Sequence, residues 1–206
     1  HTANINRVLD ITGDLGLNYK IIDGVQAEIR YRYERQQSSD HILQDQDSYF
    51  SRDLVNLFTQ INGDQVINII PKGGVLDISD NTLVAQDFRG QLNFDRSWGK
   101  HKLVALAGTE IRESHNTGNS YRTYGYNPDL STGGYVDYAN VYPTYLTGAP
   151  AFIPNNSGFS DISNRFVSYY ANMAYSYLDK YTFSLSGRRD ASNLFGVRTN
   201  DKWKPL

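Results

Sequence analysis

The sequence predicts an all-β protein built of antiparallel transmembrane β-barrel hairpins with long extracellular loops, a strip of a larger barrel. Three observations predict it. Apolar and polar residues alternate with a period of two in three separate hairpins. The turns inside the hairpins take about three to five residues, while the two connections between hairpins, 37–82 and 113–164, take roughly 46 and 52. The first strand runs about 13 residues, which at ~3.3 Å each and a tilt near 45° rises about 30 Å, enough to cross a bilayer core.

The first hairpin covers about 8–36. Leu9, Ile11, Gly13, Leu15, Leu17, Tyr19 and Ile21 alternate with Asp10, Thr12, Asp14, Gly16, Asn18 and Lys20. Asp23-Gly24 is a tight hairpin signal. The return has Val25, Ala27, Ile29, Tyr31 and Tyr33 on one face and Gln26, Glu28, Arg30, Arg32 and Glu34 on the other. The second hairpin covers about 84–112. Phe88, Gly90, Leu92 and Phe94 alternate with Arg89, Gln91, Asn93 and Asp95, and the return, Lys102–Arg112, is apolar on both faces from Leu103 to Ala107. The third covers about 165–190. Val167, Tyr169, Ala171, Met173, Tyr175 and Tyr177 alternate with Ser168, Tyr170, Asn172, Ala174 and Ser176; Leu178-Asp179-Lys180 turns the chain, and Tyr181, Phe183 and Leu185 alternate with Thr182, Ser184, Ser186 and Arg188. Short turns at one end and long loops at the other is the plan of an outer-membrane barrel. Tyr19, Trp98, Tyr177 and Tyr181 flank the short turns, where an interfacial aromatic girdle lies; β-propensity alone places aromatics in strands too. The lumen-facing candidates are Asp10, Asp14, Glu28, Arg30 and Arg32. Six strands do not close a membrane barrel, since the smallest have about eight and large plugged transporters about 22.

Composition removes other classes. The 206 residues carry 20 Lys+Arg against 22 Asp+Glu, a formal charge of −2, which lacks the basic excess of a nucleic-acid binder. Without cysteine there is no disulfide scaffold, thiolate zinc site or cysteine nucleophile. The longest apolar run, Leu103–Ala107, is far short of the roughly 20 residues of a membrane helix. A mean hydropathy of −0.54 is no objection to a membrane barrel, whose alternating strands average out. The opening His1-Thr2-Ala3 lacks the regions of a signal peptide, and the chain ends at Lys204-Pro205-Leu206; the expectation is a piece cut from something longer.

The first long connection predicts a short helix, because Phe50, Leu54, Leu57, Phe58 and Ile61 recur at helical spacing after Ser48 or Ser51 as N-cap. Packing within its own loop is the expected role of that helix. Val66–Ile70 and the turn Pro71-Lys72-Gly73-Gly74 follow. The second connection carries Tyr121, Tyr124, Tyr126, Tyr135, Tyr138, Tyr142 and Tyr145. Tyrosine offers a flat apolar face and a hydroxyl at small entropic cost, so these are ligand-contact candidates for a sugar or a peptide; aromatic packing of the loop on itself is the competing reading.

No catalytic signature is present: there is no Gly-x-Ser-x-Gly elbow, phosphate loop or His-Glu-x-x-His. His1, His41, His101 and His115 have no ligand-like spacing, and His101, at a turn, reads as solvated. Asp40, Asp45 and Asp47 form an acidic patch open to Ca²⁺ in principle, but without the Asp-x-Asp-x-Asp-Gly pattern a solvated loop is the better reading. Glu110 and Glu113, three apart near a strand end, do not share a face. The expectation is a protein that is not an enzyme and holds no cofactor.

Three segments resemble a known family. Asn164-Arg165-Phe166-Val167-Ser168-Tyr169-Tyr170-Ala171-Asn172, then Tyr175-Ser176-Tyr177-Leu178-Asp179-Lys180-Tyr181, then Ser186-Gly187-Arg188-Arg189-Asp190-Ala191-Ser192-Asn193-Leu194-Phe195-Gly196 resemble the SusC/RagA family of TonB-dependent transporters of the Gram-negative outer membrane. The family's run is an aromatic strand, a Tyr-x-Asp-Lys-Tyr turn and an Arg-x-Asp-Gly-Ser-Ser-x-Phe-Gly return. The matching positions are Tyr177, Asp179, Lys180, Tyr181, Arg189, Asp190, Ser192, Phe195 and Gly196, while Ala191, Asn193 and Leu194 depart from the pattern. Ile70–Leu76 and His101–Glu110 also resemble the family's mid-barrel. The resemblance implies a plugged barrel of about 22 strands. It further implies import of glycans or peptides, a SusD-like surface lipoprotein as partner, outer-membrane lipid around the wall, and TonB acting through plug segments that have no counterpart in this chain. Two alternatives stay open: a siderophore- or haem-type TonB-dependent receptor, and a secreted β-sandwich binding module with its apolar faces turned inward.

Overall fold

The computed structural model describes residues 2–193 and 203–205. The chain is nearly all antiparallel strand, 74%, with 5% helix. Six long strands dominate: β1 (Thr2–Ile22), β2 (Val25–Gln44), β5 (Gly74–Trp98), β6 (His101–Asn127), β10 (Gly158–Tyr177) and β11 (Tyr181–Ser192). The connections hold helix α1 (Tyr49–Leu57) and the short strands β3 (Thr59–Asn62), β4 (Gln65–Asn68), β7 (Thr132–Gly134), β8 (Val141–Pro143) and β9 (Pro150–Phe152); β12 (Trp203–Pro205) follows β11. Among the described residues one sheet runs as an open path β1-β2-β5-β6-β10-β11-β12, with β7 beside β6; β3–β4 and β8–β9 are separate two-stranded sheets.

The strands outrun the sequence expectation. β2 continues through Gln44, β5 begins at Gly74, β6 reaches Asn127 and β10 begins at Gly158. The connections shrink correspondingly to 45–73 and 128–157. In segments such as Ser114–Ser120 both faces are polar, so no apolar alternation marks them, yet backbone pairing needs no apolar face.

By its contacts the chain divides into two compact units. The turn unit comprises Asp10–Gln36, Leu83–Asn116 and Asp161–Leu206. Its three turns are tight. Gly24 and Gly99 take positive φ of 82° and 56°, and Leu178 and Asp179 both sit at 57°, where a non-glycine residue is strained. A Cβ on Gly24 would meet the Asp95 carbonyl oxygen at 2.6 Å, so glycine is required there twice over. Backbone bonds join neighbouring turns: Asp95 N–H donates to Gly24 O (2.8 Å) and Leu178 N–H to Lys100 O (2.7 Å). In the β10–β11 register Tyr175 faces Phe183, Met173 faces Leu185 and Tyr177 faces Tyr181, while on the opposite face Tyr170 meets Arg188 and Ser168 meets Asp190. The apolar face is open: Leu15 is 72% exposed, Leu185 61% and Leu92 53%.

The loop unit comprises His1–Leu9, Gln37–Thr82 and Thr117–Ser160, and holds its own core of Leu54, Val55, Phe58, Ile70, Val75, Tyr124, Val136 and Ile153. Ser48 is the N-cap of α1, its Oγ accepting from Ser51 N–H at 3.1 Å, which satisfies a helix-end donor. Leu54 and Phe58 of the predicted helical stripe are buried, whereas Ile61 belongs to β3 and is exposed. The carbonyl of Leu57 at the helix end accepts from Tyr145 N–H at 2.8 Å, which ties the second connection to the first. Gly73 (φ 149°) crosses so close to Gly125 that a Cβ would lie 2.6 Å from its carbonyl carbon.

Candidate functional site

Each unit carries a candidate surface. In the turn unit it is the polar face of the sheet. Arg89 from β5 reaches across to Tyr170 of β10: Nε donates to the hydroxyl at 2.8 Å and the guanidinium lies 5.4 Å from the ring centroid. Arg89 Nη2 donates to Gln91 Oε1 (2.7 Å), Tyr170 donates to the same oxygen (2.9 Å), and Gln91 Nε2 donates to Asn93 Oδ1 (2.6 Å). The crossing is possible because β6 places Gly108 beneath the ring, where a Cβ would lie 2.5 Å from the Tyr170 oxygen. Arg188 pairs with Asp190 at 2.9 Å and donates to Ser168 Oγ at 3.2 Å.

The predicted lumen-facing residues join this face. Arg32 Nε bonds Asp14 Oδ1 at 2.7 Å, and Arg30 Nε bonds Glu28 Oε1 at 2.5 Å. Asp14, Arg30 and Arg32 share a recess with Asp87, Arg89 and Glu110. Asp10 accepts from Thr12 Oγ1 at 3.5 Å. Arg89, Gln91, Tyr170, Arg188 and Glu110 were not among the sequence candidates, although the alternation that selected Arg30 and Arg32 selects them equally. Each guanidinium here has a carboxylate, amide or hydroxyl partner, so the face is a charge-balanced hydrogen-bonded surface and not a single-sign funnel.

On the apolar face the aromatics gather at the turns. Trp98 stacks on His101 (centroids 6.0 Å, 16° between planes), and His101 lies 5.1 Å from Tyr177 and 5.9 Å from Tyr175. The His101 Nδ1 is 2.5 Å from the Tyr175 hydroxyl. His101 is therefore no solvated turn residue: it is half-buried and completes the aromatic band, because its position alternates in step with Leu103 and Ala105. Tyr181 (71% exposed) pairs across from Tyr177, and Tyr19 also lies open. Beyond Ile111 and Val167 the outward positions become polar, with Arg165 paired to Glu113 (2.7 Å) and His115 Nε2 within hydrogen-bond distance of Asp161 Oδ1 (2.6 Å). On β6 the outward positions from Leu103 to Ile111 span nine residues, and Thr109 is the one polar side chain among them.

The remaining motif residues are placed as follows. Asp179 and Lys180 form the β10–β11 turn, Arg189 pairs in register with Tyr169, and Ser192 pairs with Phe166 and is buried. Phe195 and Gly196 lie outside the described residues.

In the loop unit the centre is an ion pair. Arg122 makes two parallel bonds to Asp77, Nε to Oδ1 at 2.7 Å and Nη2 to Oδ2 at 2.6 Å. The guanidinium also stacks 5.4 Å from the Phe50 centroid and 5.9 Å from Tyr124. The bond to Asp77 holds it protonated even more firmly than an ordinary arginine. Tyr124 is wholly buried, donates to Pro154 O at 2.7 Å, and has its hydroxyl pKa pushed up by burial. Tyr138, its pKa also raised by burial, donates to Arg122 O at 3.4 Å. Asp137 accepts from Asn140 Nδ2 (2.6 Å), Ala139 N–H (2.8 Å) and the Tyr142 hydroxyl (3.0 Å). Tyr124, Tyr138 and Tyr142 thus hold the loop together. Tyr135 (92% exposed), Tyr145 (57%) and Tyr121 (42%) present their rings outward, and Tyr126 is half-buried. Tyr145 and Leu146 border an open cavity of about 460 Å³ with Asp53, Asn56, Leu57, Thr59 and Ile61, within the size range of ligand sites.

The Asp137 bonds, that from Asn140 first, hold its carboxyl below the usual aspartate range, and the same hydrogen bond raises the Tyr142 hydroxyl. A depressed carboxyl contributes its stabilisation above the unfolded pKa, near ~4, and loses it as pH falls through the lower folded value. The amide of Ala139 is therefore expected to lose hydrogen-exchange protection on acidification through that range, and Asp137→Asn to make its protection independent of pH; protection that stays constant in the native protein would exclude the role. Of the acidic patch, Asp40 Oδ1 accepts from Asn6 at 2.5 Å and Asp45 Oδ1 from Asp47 N–H at 2.9 Å, and among the described residues no group of three His, Cys, Asp or Glu is spaced to hold a metal ion.

No protein-family model and no curated protein matches the sequence. Solved structures do match. The chain is similar in fold to a peptide transporter. It aligns with the structure of the RagAB peptide transporter over 98% of its own length and 19% of that chain, with a TM-score of 0.71 and 14% identity. The RagAB peptide importer in the "open-open" and "closed-closed" states aligns over 99% of this chain and 19% of that one, with TM-scores of 0.70 and 0.69, each at 14% identity. At this identity the likeness is one of fold, and the chain spans about a fifth of the length of those it matches. Among the described residues no helix is long and apolar enough to cross a membrane, which says nothing of strands.

Proposed function

We propose that this chain is a strip of the wall of a TonB-dependent importer of the SusC/RagA type in a Gram-negative outer membrane. The observation that carries this reading is the two-faced sheet of the turn unit, apolar and banded by aromatics on one side, charge-balanced on the other. The apolar side meets lipid. The polar side lines the bore or braces a plug: its Arg30, Arg32 and Arg188 are paired with carboxylates and Arg89 is hydrogen-bonded to Tyr170 and Gln91, so a plug surface meets guanidinium groups that already have partners. The loops capture the cargo beneath a SusD-like lipoprotein, with Tyr121, Tyr135 and Tyr145 offering exposed rings to it. Energy reaches the wall through TonB and plug segments supplied by other parts of the protein. Peptides stand before glycans as cargo, because the similar structures are those of a peptide transporter. A β-sandwich module is disfavoured by the open face of Leu92, Phe183 and Leu185.

The test is deletion of the gene for the full-length protein, followed by uptake of labelled oligopeptides, oligosaccharides and a ferric siderophore, with affinity purification of the intact protein. Loss of peptide uptake and co-purification of a lipoprotein are expected. Unchanged uptake of all three would overturn the proposal, and loss confined to the siderophore would replace it by the siderophore-receptor reading.

A further inference from the structure

The apolar face of the turn unit is not evenly filled. Ala105 and Ala107 of β6, Ala171 of β10 and Gly187 of β11 form a floor of small residues on neighbouring strands, walled by Phe94 and Leu185, and the resulting groove has a volume of about 660 Å³. The small residues leave a concavity between the larger Leu92, Phe94, Met173 and Leu185. Along β11 the groove begins at Leu185, four residues or about 13 Å from Tyr181 in the aromatic band. That band marks the headgroup level. Beside it stand three exposed cations. Arg96 alternates in step with Phe94 and Trp98, and Lys100 and Lys180 occupy adjacent turns joined by the Leu178–Lys100 backbone bond. Lys20 is engaged by Asp23, Asp95 falls on the opposite face, and Asp179 shares the β10–β11 turn with Lys180. A cationic rim one headgroup away from an apolar groove is complementary to a molecule with a phosphate at one end and a hydrocarbon chain at the other.

We propose that the groove seats one acyl chain of an anionic phospholipid whose phosphate rests on Arg96, Lys100 and Lys180. The inference rests on the membrane-wall reading above. The bound lipid fills the concavity left by the small residues, so the wall presents an even surface to the rest of the bilayer.

The test uses the full-length protein in detergent, titrated with phosphatidylglycerol or phosphatidylcholine and read by native mass spectrometry. The native protein is expected to retain phosphatidylglycerol in preference to phosphatidylcholine. Ala107→Leu, which displaces roughly two buried methylenes, should weaken both about tenfold. Arg96→Gln, an exposed change that leaves packing untouched, should weaken phosphatidylglycerol alone, about fivefold. Equal binding of the two lipids by the native protein would overturn the proposal. So would native-like binding by Ala107→Leu, or a dimer of this protein that Ala107→Leu splits while lipid binding is unchanged, which would make a second copy the occupant. An alkaline carbonate wash of membranes separates the two levels: protein released by the wash refutes the membrane reading itself, whereas protein that stays and binds lipid without headgroup preference refutes only the lipid site.

Discussion

Leu15→Arg in the full-length protein is expected to lower folding stability in lipid vesicles by about 2–4 kcal/mol, the cost of a cation on the lipid face near the bilayer midplane. Leu15 lies midway along the alternating apolar positions of β1 and is 72% exposed in this chain. The paired control is Asn18→Arg, on the opposite face of the same strand and bordering the recess of Asp14 and Arg30. It should change stability by less than about 1 kcal/mol, because that side is already polar. Urea unfolding of both variants from vesicles reads the difference. Equal stabilities would mean that the apolar side of the sheet does not meet hydrocarbon, and the transporter reading would fall with it.

Arg122→Ala is expected to cost about 3 kcal/mol in the loop unit, since it strands a largely buried carboxylate. The size follows from burial: the Arg122 and Asp77 side chains are only 12% and 22% exposed, unlike the surface pairs of the turn unit, which are worth a few tenths. Removing Arg122 also takes away the cation over Phe50 and Tyr124. Arg122→Lys should recover only part of the loss, because an ammonium does not make the two parallel bonds. Thermal unfolding and limited proteolysis of the 45–73 and 128–157 connections check this. A cleavage pattern and melting temperature identical to those of the native protein would show that the pair does not organise the loops.

What the sequence makes legible is whatever alternates between apolar and polar. Leu9–Ile21 and Val167–Leu185 announce their strands because one face is apolar and the other is not. The outer halves of β5 and β6 do not announce themselves. Asn116, Thr117, Asn119 and Ser120 are polar on both faces, and their strand state is imposed by backbone pairing. The β3–β4 hairpin is hidden by the helical spacing that takes in Ile61; in the structure Ile61 pairs with Val66, and Gly63 at positive φ turns the chain after Asn62. The tyrosines separate only in three dimensions: Tyr121 and Tyr124 look alike in sequence, but Tyr124 is fully buried and Tyr121 is not. His101 shows the limit in the other direction. Proximity to a turn suggested solvent, but its place in the alternation, in step with Leu103, put it among aromatic rings.

The hydrophobic nucleus of the loops, with Phe58, Ile70, Tyr124 and Ile153 essentially closed to solvent, has a bearing on how such a protein can diversify. A loop unit with its own core has its own source of cohesion. Substitutions at Tyr135, Tyr145 or the rim at Asp53 can accumulate without disturbing that nucleus. If the chain is the importer wall proposed above, selection for a new nutrient and selection for insertion act on different residues, and a lineage is free to change its diet while keeping its hull.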